Sequence, residues 1–189
     1  METKRAVYFY HSRDQIHGCL SNFFKCTFVD DHGRKFQSSE HYFSKRKQEL
    51  FDPDNHELAA GIMVANAPAI AKQLGRQVRN YDDRVWQAVR FDVMVEALKL
   101  KFTSCDELRD DLLSTGSKML YNASPRDTLG GIGKSVEDVR TLFRYSPALM
   151  RVGDVDEETQ LEVHGANLLG HALMHVRSWL RAQPQAIVH

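Results

Sequence analysis

The chain has 189 residues, 42% hydrophobic and 26% charged, a composition that excludes a disordered or fibrous protein; at about 150 residues per domain it predicts one domain. Lysine plus arginine equals aspartate plus glutamate at 25 each, so no global field draws the chain onto nucleic acid or anionic lipid. No apolar run approaches the ~20 residues of a membrane span, and the opening METKRAVYFYHSRD lacks the pattern of a secretory leader. These features predict a cytoplasmic protein, nuclear as well if eukaryotic, with no membrane partner. Cys19, Cys26 and Cys105 form no CxxC pair and are expected to be reduced and structural.

In chain order, VYFY at 7–10, FFKCTFVD at 23–30 and RKFQ at 34–37 read as extended, with Asp31-His32-Gly33 as a turn, which predicts a small antiparallel ribbon. Helical signals then dominate. Ser38 or Ser39 is a candidate N-cap, with Glu40 in the first turn, for a helix to about Leu50. Further helices are predicted at 55–66 and from Pro68 to Gly75, the latter bounded by a favoured first residue and a favoured C-terminal cap. The longest, about 82–102, carries Val85, Trp86, Val89, Val93, Met94, Ala97, Leu98 and Phe102 at helical spacing. Ser104 to Glu107 reads as a capping box opening a helix with Leu108, Leu112 and Leu113. A last helix, about 167–182, presents Leu169, Leu173, Val176 and Leu180 on one side. Between these, SPRDTLGGIG at 124–133 predicts a shaped loop, and 146–163, acidic from Asp154 to Glu162, is expected to be the most mobile segment. The fold class is therefore mainly α within α+β, a compact helical domain with a minor β-ribbon.

Chemistry is suggested by a few spacings. Seven residues at about 100° each bring Lys47 back to within about 20° of Glu40, while the rise separates their α-carbons by about 10 Å. A carboxylate and an amine bracketing that gap suit acid–base or nucleophilic work on one small polar group, or else form a solvated charged flank. Asn22 precedes an apolar strand and reads as a turn residue, and Arg76 follows a helix cap, where its guanidinium suits a phosphate or a surface carboxylate. Asp127 is the one acid in the glycine loop, where Gly131 and Gly133 allow close approach of a ligand or of backbone. Gly165-Ala166-Asn167 opens the last helix with backbone N–H groups suited to a phosphate oxygen. His171 and His175, with His164 seven residues earlier, have zinc-ligand spacing, but the glutamate of HExxH and a fourth ligand are lacking.

Taken together, the order of these pieces resembles the NADAR family. The resemblance runs over about 8–180, through Leu20-Ser21-Asn22-Phe23, Ser39-Glu40-His41-Tyr42-Phe43 with Lys47, Ala71-Lys72 to Gly75-Arg76, Trp86 to Arg90, Leu112 to Gly116, Ser124 with Asp127, Gly131 and Gly133, and Gly165, Asn167, Leu169-Gly170 and Arg177. It implies an N-glycosidase of mainly helical fold that hydrolyses a ribosyl C1′–N bond, needs no cofactor or metal and acts as a monomer. The implied substrate carries ADP-ribose on guanine, as a nucleotide or in DNA or RNA; the alternatives are a ribosylated pyrimidine of riboflavin biosynthesis and a module that binds ADP-ribose or NAD without cleaving it.

The resemblance assigns proton transfer and ribose contacts to Glu40, a reactive amine that can form a Schiff base to Lys47, and a place near the scissile bond or the ribose to Asp127. Asn22 would orient ribose hydroxyls and Arg76 would hold phosphate. Phe23, Ser39, His41, Tyr42, Trp86, Gly131, Gly133 and Asn167 complete the expected binding set. Gly130 stands where the family loop commonly has tryptophan, so stacking would fall to Tyr8, Phe23 or Tyr42. The segment 134–163 reads as an insertion suited to a larger substrate.

Overall fold

A computed structural model describes residues 1–145 and 165–183. The acidic stretch 154–162 and His164 lie outside these residues. Strand β1 (Ala6–Phe9) leads through a 3-10 turn (Gly18–Leu20) to the paired β2 (Phe28–Val29) and β3 (Lys35–Phe36). Helices α1 (Ser39–Phe51), α2 (His56–Val64), α3 (Pro68–Gly75), α4 (Asp83–Phe102) and α5 (Asp106–Ser114) follow. They precede β4 (Met119–Asn122), α6 (Val136–Tyr145) and α7 (Leu168–Ala182).

Local chemistry sets the helix ends. Ser38, not Ser39, caps α1: its Oγ accepts from the His41 N–H at 3.4 Å and lies 2.7 Å from His41 Nδ1. Asn55 Oδ1 accepts from Leu58 N, and Asp82 Oδ1 from Arg84 N and Val85 N. The capping box at 104–107 does not form. Cys105 occupies the N-cap of α5 with no side-chain cap bond, and the Ser104 hydroxyl turns back to donate to the Lys101 carbonyl, closing α4 instead.

Helix α4 divides the interior. On one side Met94, Leu98 and Phe102 join Val7, Phe9, Leu20, Leu112, Leu120, Leu173 and Val176. On the other, Trp86, Val93 and Ala97 join Phe28, Phe36, Tyr42, Phe51, Ile62 and Ala71 from β2, β3 and α1–α3. Of the expected stripe on α4, Val85 falls outside, 43% exposed near the start of the helix. A third, smaller cluster of Ala6, Tyr8, Ala123, Ile132 and Val139 lies between β1, β4 and α6.

The ribbon differs from the sequence expectation. Strands β2 and β3 pair antiparallel for two residues each, and Glu2 makes a single antiparallel bridge to Val7, while β1 pairs in parallel with β4, Ala6 opposite Met119 through Phe9 opposite Asn122. All four β1 residues are buried, with Val7 and Phe9 in one core and Ala6 and Tyr8 in another, as expected of a parallel strand covered on both faces. Gly170 lets α7 lie against this pair, because a Cβ there would run into the Leu120 carbonyl.

Candidate active site

The N-terminus of α1, the C-terminal half of α3, the turn at 21–23, the end of β1 and the glycine loop enclose a cleft of about 570 Å³ at the junction of the two larger cores. Glu40 forms part of its wall from the first turn of α1, only 7% exposed. Burial drives the Glu40 pKa up from 4.5 to about 7; Lys72, Arg76 and Lys47 oppose this rise and the Asp127 carboxylate adds to it. Its own backbone N–H donates to the Asn22 carbonyl at 3.2 Å, which ties α1 to the turn. Asn22 lines the cleft with its Nδ2 3.0 Å from Met94 Sδ, and its Oδ1 is buried with no partner among the described residues.

Opposite, Asp127 is shaped by its loop. Oδ1 accepts from Leu129 N at 3.1 Å and Gly130 N at 2.7 Å, while Oδ2 stands 4.0 Å from Lys72 Nζ. A Cβ on Gly130 would approach that Oδ2 to 2.9 Å, so the glycine at the family's tryptophan position leaves room for the carboxylate where it stands. Lys72 Nζ also lies 5.6 Å from the Phe23 ring centroid. Arg76 and Arg126 line the same cleft, giving three cations facing two carboxyls.

Of the expected site residues, Glu40, Asn22, Phe23, Arg76 and Asp127 come together here. Lys47 does not join them. Its ammonium lies 4.2 Å above the Tyr81 ring, half-buried, and burial together with Arg76 lowers its pKa. Ser39 is fully buried, its hydroxyl without a partner among the described residues. His41 is committed to structure, bridging Ser38 Oγ and the Ala65 carbonyl, the latter at 2.9 Å. Tyr42 sits in the core against Phe36 and accepts from Arg46 at its hydroxyl, and Trp86 packs edge-on to Phe43 and Phe51.

Tyr8, the other stacking candidate, is buried against Tyr121 at 5.2 Å, which leaves Phe23 in the cleft. Gly131 packs its backbone against Asn122, and Gly133 makes a left-handed turn at φ +67°.

The start of α7 is not open to an anion. Asn167 N donates to the Gly131 carbonyl, Leu168 N to Leu129 and Leu169 N to Gly130, so the glycine loop caps the helix itself. Asn167 adopts φ +48° and ties the helix to β4, accepting from Asn122 N at 3.0 Å and donating to the Leu120 carbonyl at 2.9 Å. His171 and His175 are exposed, and among the described residues no three His, Cys, Asp or Glu side chains converge.

Lys72, Arg126, Asn122, Tyr10 and His11 line the cleft without having been assigned a role from sequence. Lys72 was findable: it lies four residues before Arg76, hence on the same face of α3. Tyr10 and His11, with rings 4.4 Å apart, become cleft residues only through the pairing of β1 with β4.

Comparison with known proteins agrees with this arrangement of elements. The N-glycosidase R617 of Acanthamoeba polyphaga mimivirus is 29% identical, the match covering 94% of this chain and 97% of that protein. The riboflavin biosynthesis protein PYRR of Zea mays is 31% identical over 79% of this chain, which spans only 27% of the maize protein. The solution structure of YbiA from E. coli superposes with a TM-score of 0.71 at 25% identity, covering 100% of this chain and 94% of that one. A family model, the NADAR domain, matches residues 8–181. A match over nearly the whole chain, on a fold shared with a solved relative, places this protein in the NADAR domain family.

Proposed function

We propose that the chain is an N-glycosidase that hydrolyses a ribosyl C1′–N bond, with Glu40 as its proton-transfer group and ADP-ribosylated guanine, free or within DNA or RNA, as its substrate. The observation that carries this reading is the Glu40 carboxyl: buried, raised to about 7, and facing a cleft that also holds a second carboxyl and three cations. Cleaving the bond builds positive charge at C1′ and the ring oxygen while the departing nitrogen takes up a proton, and water supplies the hydroxyl left on C1′. A carboxyl that titrates near neutrality serves both halves, donating a proton to the leaving nitrogen and, once ionised, activating the water.

Asp127, with Asn22 beside it in the cleft lining, offers an acceptor for ribose hydroxyls, and Lys72, Arg76 and Arg126 suit the two phosphates of a diphosphate. These three cations favour a diphosphate over a monophosphate ligand. The amine in the cleft is Lys72, and we assign it the role of steadying Asp127 and the nearer phosphate. The maize relative's name favours a second reading, hydrolysis of a ribosylated pyrimidine intermediate of riboflavin biosynthesis.

The test is a turnover assay with ADP-ribosylated guanosine and with the pyrimidine ribosyl phosphate side by side. Release of ADP-ribose by the wild type, reduced about 10²-fold or more in Glu40→Gln, is expected. Turnover of the pyrimidine alone selects the second reading, binding of ADP-ribose without turnover of either substrate reduces the protein to a binding module, and equal rates in wild type and variant refute the role of Glu40.

A further inference from the structure

Lys101 is a charged residue buried completely near the C-terminus of α4, and nothing described so far uses it. Its ammonium donates to the carbonyls of Cys19 and Ser21, the latter at 3.0 Å, and lies 5.4 Å and 5.1 Å from the Phe24 and Phe102 ring centroids. No carboxylate lies within salt-bridge distance among the described residues. Burying an ammonium without a counter-ion costs several kcal/mol unless hydrogen bonds replace its water. Here two carbonyls and two aromatic faces do so, and burial still lowers its pKa to about 8.

What those bonds hold is the back of the turn whose front forms the cleft wall. Ser21, Asn22 and Phe23 line the cleft, and the Asn22 carbonyl takes the N–H of Glu40. Seven residues earlier on the same helix, Met94 Sδ meets Asn22 Nδ2. Helix α4 thus grips the turn from two positions whose α-carbons lie about 10 Å apart along its axis. The two contacts fix both the height of the turn and the direction of its side chains. A leucine or methionine at 101 would fill similar space, but it would take from the Cys19 carbonyl its donor and leave the Ser21 carbonyl with the Phe24 N–H alone.

We propose that Lys101 is a positioning residue that, through the Ser21 and Cys19 carbonyls, sets Asn22 against Glu40 and so fixes the geometry and dryness of the proton-transfer site. The inference rests on the role given to Glu40, but not on the identity of the substrate.

The experiment is Lys101→Met with Lys101→Gln alongside, the latter keeping one amide donor toward the carbonyls. The Glu40 carboxyl is titrated by ¹³C NMR against the surrounding charges of Lys72, Arg76, Asp127 and Lys47, and ADP-ribose affinity is measured by calorimetry on the same samples. In folded Lys101→Met the Glu40 midpoint is expected to fall from about 7 toward the ordinary carboxyl range as water enters, and affinity to drop about tenfold or more, because small misplacements at a site carry large effects. Lys101→Gln is expected to lie between the methionine variant and the wild type, and it decides the matter if the methionine variant does not fold. A lowered melting temperature with the Glu40 midpoint and affinity both unchanged in a folded variant makes Lys101 mere structural filling and overturns the proposal. Failure of the wild type to bind ADP-ribose counts against the proposed substrate alone, since the Glu40 titration still reads the role of Lys101.

Discussion

Substituting Glu40 by glutamine should stabilise the protein while lowering its activity about 10²-fold or more, and the size of the gain should depend on pH in a way that exposes the carboxyl's environment. The fold raises the Glu40 pKa from 4.5 to about 7. Between those values the folded protein holds a proton that the unfolded chain has released, so its stability contribution is complete below about pH 4.5 and is lost as pH rises through 7. At about 1.4 kcal/mol for each tenfold change in proton affinity, ionising this buried carboxyl costs about 3 kcal/mol at slightly alkaline pH. Glutamine has nearly the same shape and nothing to ionise. The difference in unfolding free energy between Glu40→Gln and wild type, measured by urea titration, should therefore grow by about 3 kcal/mol from pH 4.5 to pH 8. In a chain of this length that corresponds to roughly 6 to 12 °C in melting temperature. Parallel stability curves for the two proteins across that range would refute the claim that Glu40 is buried against its charge. The trade of stability for a poised carboxyl is the one expected of an active site.

Two further outcomes follow from the geometry. Lys72→Ala should cost turnover and ADP-ribose affinity about tenfold or more, whereas Lys47→Ala, which removes an ammonium stacked on Tyr81, should change either by less than Lys72→Ala does; the opposite ranking in steady-state kinetics would return the amine role to Lys47. Gly170→Ala should destabilise the fold by about 2 kcal/mol or more in urea, because its methyl group would meet the Leu120 carbonyl of β4 inside a close-packed layer.

The helices were legible because their ends are written in local chemistry: Pro68 opens α3, Asp82 caps α4, and the apolar spacing on α7 survives folding nearly intact. Gly75 ends α3 without being its cap; Arg76 takes that place in right-handed conformation, and Gly75 instead makes room for Ser44 of α1. The β1–β4 pair was not, since MLYN is four residues long, shows no alternation that separates it from a turn, and finds its partner more than a hundred residues away. Helix α6 was also missed; it lies within the span read as an insertion, although Val136, Val139 and Phe143 stand at helical spacing and pack in the third cluster. In the site, Glu40 and Arg76 stood out at helix ends and Asp127 as the one acid of the glycine loop, while their expected roles, and that of Asn22, came from the family resemblance. Helical spacing put Lys47 beside Glu40 in angle, but two turns of rise carried it to Tyr81. Lys101 looks in sequence like an ordinary basic residue in a helix's last turn, the same as Lys99. Only the burial of the 18–24 turn against α4 distinguishes them.

The parallel pairing of β1 with β4 has a consequence for how the protein is made. Tyr10 and His11 at one end of the chain and Leu168 and Leu169 near the other bound the same hollow, so no stretch of sequence shorter than that interval can form it. Helices α1 to α4 assemble from near neighbours, while the strand pair must close a loop of over a hundred residues, the slower event in such topologies. During synthesis the hollow therefore cannot close before Leu168 and Leu169 have been made, and ligand retention by a nicked chain would report whether both sides of that long circuit have met.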